Sequence, residues 1–220
     1  MEEPIQSKNE KKINEKEIRK MEKILLEKHF EGRKYTEDKI KKWSDNIIEE
    51  MNEYLLTNYS SYGFSIFLFV GGPISYYTSR QAIFDPNNDS SMTEKYETIY
   101  LNATLRVFII KIRNLKCDFE NINIDYLLKI NKIFNETLES KSFIDKKINS
   151  YLENAVNEIN SYLIKFDDIG SSFQQGFLFK SKTKNIHFYY KFTNMKFIPY
   201  YASYANDSIL AHLFLFFVGK

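Results

Sequence analysis

One helical pattern occurs twice in this chain, about half a chain length apart. The first occurrence, residues 35–55, reads YTEDKIKKWSDNIIEEMNEYL, and its apolar residues recur three and four positions apart. That spacing predicts a helix with one apolar stripe and one solvated face. The second occurrence, residues 143–163, reads FIDKKINSYLENAVNEINSYL and follows at an offset of 108 without a gap. In a chain of 220 residues, the repeat predicts two similar domains in tandem.

Each repeated helix is preceded by another predicted helix and followed by predicted strands. The preceding helices are expected at 14–30 and 124–138, the first with Ile18, Met21, Ile24, Leu25 and Leu26 on its apolar face. Short segments rich in Phe, Ile and Tyr, separated by turn residues, predict the strands. They are 63–70, 75–84, 92–100 and 102–112, then 173–180, 186–192, 196–204 and 208–218.

The register between the copies changes within the strands. Phe177 matches Phe67 at an offset of 110, and Phe192 matches Phe84 at 108, which predicts a shorter hairpin turn in the second copy. The chain is thus predicted to be α+β, with two helices and four antiparallel strands in each copy. The expected boundaries are a flexible N-terminus (1–13), unit one (14–112), a connector (113–123) and a divergent unit two (124–220).

Composition and charge argue against several kinds of partner. The net charge is +2, from 31 basic and 29 acidic residues, so no strong field is expected to attract nucleic acid or an anionic membrane. The longest apolar run, 209–218, is about half the length that spans a bilayer and is interpreted as a strand. The single cysteine excludes internal disulfides.

No pattern in the sequence predicts catalysis, a metal site or a cofactor. The three histidines, His29, His187 and His212, are far apart, and no Cys or Asp accompanies them at ligand spacing. No nucleophile elbow is present, and the pair Gly71-Gly72 precedes a proline rather than a helix. An enzyme is therefore not expected. A small enzyme or ligand-binding α+β domain remains an alternative, which a deep polar pocket with converging ionisable groups would favour.

Two predicted strands mix tyrosines with polar residues. Such a strand is either amphipathic with one solvated face or an edge strand that offers backbone groups to a partner peptide. The candidate peptide-binding residues on these strands are Tyr76, Tyr77, Ser79, Gln81, Tyr189 and Tyr190.

The first copy resembles the Tctex family of dynein light chains over residues 14–112. Trp43 lies early in the second helix, Phe84-Asp85 closes the second strand, and Asp89 ends the following loop. The step from Lys95 to Glu97, with an aromatic residue between, precedes the last strand as in that family. The second copy departs from the pattern, with Tyr151 in place of the tryptophan, Phe192-Thr193 in place of the aromatic-acid pair, and Tyr204-Ala205 in place of Tyr96-Glu97.

The resemblance implies an architecture and a function. The two units are expected to form an intramolecular pseudo-dimer in which strands 76–84 and 186–192 pair across the two copies. The implied role is a non-catalytic dynein light chain that binds an extended peptide of a dynein intermediate chain by strand addition; a Tctex-like scaffold of microtubules or cilia without a motor is the alternative. Other dynein subunits and a further light chain are candidate partners. The implied location is the cytoplasm and cytoskeleton, including the cilium or axoneme.

The resemblance also implies where the peptide binds. Because the copies differ, one strong site is expected rather than two equal ones, and copy one is the expected site. A proline at Ser79 is expected to remove a backbone donor from that strand and so to weaken binding there.

Overall fold

The computed structural model describes residues 12–83, 85, 87–112, 124–144, 146–166, 169–194 and 198–219. Phe84, the connector 113–123 and most of the predicted flexible N-terminus lie outside the described residues. Within the described ranges, no helix is both long enough and apolar enough to cross a membrane.

The two halves of the chain contain the same elements in the same order, as the repeat predicts. The first half contains α1 (Glu15–Phe30), α2 (Glu37–Asn58), β1 (Tyr62–Gly71), β2 (Tyr76–Ile83), β3 (Ser90–Glu97) and β4 (Asn102–Lys111). The second half contains α3 (Ile124–Leu138), α4 (Ile148–Leu163), β5 (Ile169–Lys180), β6 (Ile186–Thr193), β7 (Ile198–Ala205) and β8 (Ile209–Gly219). The α+β fold class is confirmed.

Local sequence signals begin and end the first two helices. The Asn14 side chain accepts a hydrogen bond from the Glu17 backbone N–H (3.4 Å) and caps α1. Gly32 follows the end of α1 with a φ of 68°, a left-handed conformation that glycine adopts without strain. Thr36 is the N-cap residue of α2 but makes no side-chain capping bond, and Lys39 stands where a capping box has Glu or Gln.

The buried face of α1 differs from the predicted one. Ile24 is 44 % exposed, whereas Glu22 is fully buried. The apolar neighbours of Glu22 on this stripe are Ile18, Leu25, Leu26 and Phe30. Their three- and four-residue spacing places position 22 on the core face whatever side chain it carries. The prediction for Ile24 was wrong because that residue lies on the opposite side of the helix.

The four strands of each sheet do not come from one half of the chain. The first sheet has the order β3-β4-β1-β6 and the second has the order β2-β5-β8-β7. Both sheets are antiparallel, and β2 and β6 have exchanged places between them. The predicted exchange is confirmed. The first compact unit therefore contains α1, α2, β1, β3, β4 and β6, and the second contains β2, α3, α4, β5, β7 and β8.

Alternation along the central strands builds the core of each unit. In β4, Ala103, Leu105, Val107 and Ile109 face the helices of the first unit, as the alternation of apolar residues along the segment predicts. In β8 the equivalent positions are taken by Ala211, Leu213, Leu215 and Phe217, which face the helices of the second unit.

The register change between the copies lies later than predicted. Strands β2 and β6 have the same pattern of burial at an offset of 110, so Phe192 is equivalent to Ala82 rather than to Phe84. The turn that precedes β2 is 72–75, and the turn that precedes β6 is 181–185. Because the turn of the second copy is one residue longer, the prediction of a shorter turn there was wrong. The offset returns to 108 between β6 and β7, in a connecting segment where length changes are tolerated.

Candidate functional site

Strands β2 and β6 each lie at one end of a sheet, and each lies beside a helix. The neighbour of β2 in its sheet is β5, and the neighbour of β6 is β1. Helix α4 packs on β2, and side chains of α2 contact β6. Alternate residues of an edge strand point their N–H and C=O groups away from the neighbouring strand. The geometry thus offers two strand edges that an extended peptide can join.

The orientation of β2 can be read from Ser79. Its carbonyl accepts a hydrogen bond from Gln175 Nε2 (3.2 Å), and Gly176 stands directly opposite it on β5. The N–H and C=O groups of one residue in an extended strand point the same way, so those of Ser79 face β5. Because this direction alternates along a strand, the N–H and C=O groups of Thr78 and Ala82 face the outer edge. A proline at Ser79 would therefore remove a donor from the ladder with β5, so a proline that tests the outer edge belongs at a residue such as Ala82.

The predicted residues on β2 divide between the two faces of the second sheet. Tyr76 lies against Phe177 and Phe179, with ring centroids 6.3 and 6.0 Å away. Tyr77 packs against the helix-facing core and lies 5.7 Å from the ring of Phe143. On that same face, Ser79 stands between Tyr77 and Gln81 along the strand. Tyr77, Ser79 and Gln81 are thus brought together, and Tyr76 is not.

The predicted residues on β6 belong to the other unit. Tyr189 packs against the first core, and burial raises the pKa of its hydroxyl. Tyr190 points the opposite way, is 50 % exposed and lies 5.4 Å from the ring of Phe192. Tyr189 and Tyr190 therefore lie on opposite faces of the first sheet, whereas Tyr76 and Tyr77 belong to the second unit.

Helix side chains that contact the edge strands were not predicted. Gln81 Nε2 donates to Asn157 Oδ1 of α4 (2.6 Å). At the equivalent place in the first unit, Lys191 forms an ion pair with Glu49 of α2. Asn157 and Glu49 are 108 residues apart, and Lys191 and Gln81 are 110 apart. The two offsets of the internal repeat could have identified these equivalent pairs.

A second pair of equivalent contacts lies near the start of each edge strand. Tyr35 Oη is 2.6 Å from His187 Nε2, and the two rings stack with centroids 6.0 Å apart. The corresponding contact in the second unit is between the rings of Phe143 and Tyr77. The β6 edge is thus lined by charged and hydrogen-bonding pairs, and the β2 edge by a neutral amide pair and an aromatic pair. The two edges share a geometry but differ in polarity.

The histidines have structural contacts. His29 is buried, with Nε2 3.0 Å from Glu50 Oε1, and His212 Nδ1 lies 2.5 Å from Tyr201 Oη. Among the residues that the structure describes, no three His, Cys, Asp or Glu side chains could hold a metal ion together.

Acid is expected to destabilise the second unit through His212. Burial lowers the pKa of His212 from 6.5 to about 4, so the unfolded chain binds a proton in this range that the folded chain does not. The free energy of unfolding should therefore fall as the pH drops from about 6.5 to about 4. Replacement by threonine, the residue at the equivalent position 104, should reduce this fall in urea titrations at pH 7 and pH 5. Equal falls for the wild type and the variant would contradict the assignment.

Residues of the family pattern have structural roles in the first unit. Trp43 packs on the core, edge-on to Phe30, with ring centroids 6.4 Å apart. Asp89 is buried and its Oδ1 accepts the backbone N–H of Lys111 (3.2 Å), which ties the β2–β3 loop to the end of β4. Tyr96 lies 6.1 Å from the ring of Phe30.

Comparison with protein families identifies a relationship for the first half of the chain. A model of the Tctex-1 family matches residues 12–110, the range from α1 to β4. No curated protein matches the chain. The matched range includes β2 and ends before β6. It therefore contains the strand that the first half of the chain contributes to the second sheet, but not the strand that the first sheet receives from the second half.

Proposed function

We propose that this chain, whose residues 12–110 match the model of the Tctex-1 family, acts as a non-catalytic dynein light chain that binds an extended peptide. The observation that carries the proposal is the placement of β2 and β6 at sheet edges beside helices. An extended segment added to such an edge forms main-chain hydrogen bonds, while the flanking side chains select its sequence.

The proposed partner is a segment of a dynein intermediate chain. The role needs no cofactor, and it places the chain with dynein on the cytoskeleton, in the cytoplasm or the axoneme. Other dynein subunits, including another light chain, are further candidates. The alternative is a Tctex-like scaffold of microtubules or cilia without a motor. Co-purification with dynein heavy or intermediate chains supports the first role, and their absence from cytoskeletal complexes that contain this chain supports the second.

The β2 edge is the proposed stronger site. Its helix-facing side carries Tyr77, Ser79 and Gln81, and its outward backbone groups include those of Thr78 and Ala82. Tyr77 adds a large amphipathic ring with few rotatable bonds to this face, a property that suits peptide contacts. At the β6 edge, the ion pair of Lys191 with Glu49 would have to be accommodated or broken by a peptide that lies across it.

A proline at Ala82 tests strand addition at β2. Proline removes the outward N–H of that residue but leaves the ladder to β5 intact, since an edge strand tolerates proline where the N–H faces outward. The Ala82→Pro variant should bind an intermediate-chain peptide about tenfold more weakly, because one lost main-chain bond is worth about 1.4 kcal/mol. Fluorescence anisotropy with labelled peptide measures this.

The matched control is Ala82→Val, which keeps the N–H and favours the strand. It should bind like the wild type, and both variants should keep the circular dichroism of the parent. Unchanged affinity of a well-folded Ala82→Pro variant would show that the β2 edge is not the binding site.

A further inference from the structure

The positions behind the two edge strands carry large and small side chains in opposite combinations. Three sites are equivalent in the two units: one on the second helix of each pair, one on the first strand of each copy, and one on the exchanged strand. In the first unit they are Ser44, Ile66 and Tyr189; in the second unit they are Leu152, Gly176 and Ser79. We call these the first-unit set and the second-unit set.

The second-unit set is filled by Leu152. A Cβ added to Gly176 would lie 2.9 Å from Leu152 Cδ1, so the leucine occupies the space that a side chain on β5 would need. Ser79 is paired directly with Gly176. The two small residues on neighbouring strands thus make room for the leucine on α4.

The first-unit set is filled by Tyr189. Ser44 and Ile66 are both fully buried, and the Tyr189 ring packs partly buried against the same core. Ser44 Oγ makes no hydrogen bond of normal geometry with any described residue. Burial raises the pKa of the Tyr189 hydroxyl, and the nearby Ser44 side chain partly opposes that rise, so the two side chains are neighbours. The small serine on α2 thus leaves room for the large ring on the exchanged strand.

We propose that these two sets determine which strand each sheet accepts at its edge. If β2 took the place of β6 in the first sheet, Ser79 would lie over Ser44 and leave a cavity. If β6 took the place of β2 in the second sheet, Tyr189 would lie where Leu152 already fills the space. Cavities and overpacking both destabilise a core, so each sheet selects the strand that it has. The selection acts on assembly and does not depend on peptide binding.

The same rule defines the partner that could donate a strand from outside. A second copy of this chain, or another light chain, fits the first unit only with a large aromatic residue at the position of Tyr189. It fits the second unit only with a small residue at the position of Ser79. A strand that meets neither condition is rejected on size alone.

The sharpest test exchanges the two strand residues and keeps the composition unchanged. The double variant Ser79→Tyr/Tyr189→Ser has the same residues as the wild type but places each on the wrong edge. Its Tm should fall by at least about 5 °C, since overpacking and a cavity both act and each kcal/mol shifts Tm by about 2–4 °C in a chain of this size. Amide hydrogen exchange should become faster in β2 and β6 first.

The matched rescue exchanges the remaining members of the two sets. Adding Ser44→Leu and Ile66→Gly in the first unit, with Leu152→Ser and Gly176→Ile in the second, should restore most of the lost Tm, although six residues then differ from the wild type. Tyr189→Phe is the control for the hydroxyl and should change the Tm little, because it keeps the ring. A strand exchange that leaves the Tm unchanged, or a completed exchange of the sets that lowers it further, would overturn the proposal. If the double variant does not fold, a double-mutant cycle within each unit tests the proposal instead. The two pairs are Ser44→Leu/Tyr189→Ser and Ser79→Tyr/Leu152→Ser. Each paired variant should be more stable than the sum of its two single changes predicts.

Discussion

Replacing Gly176 by isoleucine is expected to destabilise the second unit by about 3 kcal/mol, because its core has no room for a side chain at that position. The first heavy atom of such a side chain would already lie 2.9 Å from Leu152 Cδ1 and 3.1 Å from Val156 Cγ2. Ile66, at the equivalent position of the first unit, is accommodated because Ser44 of α2 is small. Urea unfolding followed by circular dichroism measures the loss.

Two variants control this result. Gly176→Ala adds only the Cβ, and the ends of the Leu152 and Val156 side chains can move away from it, so a much smaller loss is expected. Adding Leu152→Ala to the isoleucine variant removes the clashing atoms and should recover part of the stability. If Gly176→Ile were as stable as the wild type, the close approach of α4 to β5 would be refuted.

Replacing Glu22 is expected to stabilise the first unit. Glu22 lies on the core face of α1, which packs on β3 and β4. It is fully buried, and neither carboxylate oxygen makes a hydrogen bond of normal geometry within the described residues. Ile130 of α3, 108 residues further on, is buried at the equivalent position. The Glu22→Ile variant should therefore gain about 1–3 kcal/mol at neutral pH, the usual cost of an unsatisfied buried polar group.

The gain should depend on pH with a definite sign. Burial, with a smaller contribution from Glu94, raises the pKa of Glu22 well above 4.5. Arg19, Arg106 and the backbone of Val107, which lies near the carboxyl but outside normal hydrogen-bond geometry, oppose the shift. Below about pH 4.5 the carboxyl is protonated in the folded and the unfolded chain, so it has no charge to bury. As the pH rises above 4.5, the unfolded chain releases a proton that the folded chain keeps, and the wild type loses stability.

Glu22→Gln separates charge from size. It keeps the shape and polarity of the side chain but cannot ionise, so its advantage over the wild type should be small at pH 4 and grow towards pH 8. Trp43, the single tryptophan of the chain, lies in the first unit, and its fluorescence can follow unfolding there. A constant difference between Glu22→Gln and the wild type over this range would contradict the raised pKa.

Much of the fold was predictable because its signals are local. Apolar residues three and four apart placed α2 and its buried stripe, including Ile40, Ile47 and Leu55. Alternation placed the core face of β4, and the repeat predicted that residues 124–220 would form the same elements again. Each of these patterns reflects the period of one element, which neighbouring residues determine without knowledge of the rest of the chain.

The exchange of β2 and β6 did not follow from such patterns. A hairpin of β1 with β2 and an exchange of β2 with β6 have the same local periodicity, so only the resemblance to a known family predicted the exchange. The roles of the candidate residues depend on tertiary structure for a similar reason. The sequence places Ser79 on a strand, but which neighbouring strand its backbone groups face depends on the register of β2 with β5.

The amino-acid sequence by itself determined the number of units, their elements and most of the core faces. The spacing of the apolar residues places Glu22 on the core face of α1, but tertiary structure alone decided that its carboxylate is fully buried, because α1 packs on β3 and β4. It likewise decided that Lys191 meets Glu49 and Gln81 meets Asn157. These contacts join residues distant in the chain, and their partners are chosen by which strand lies beside which helix after the sheets have formed.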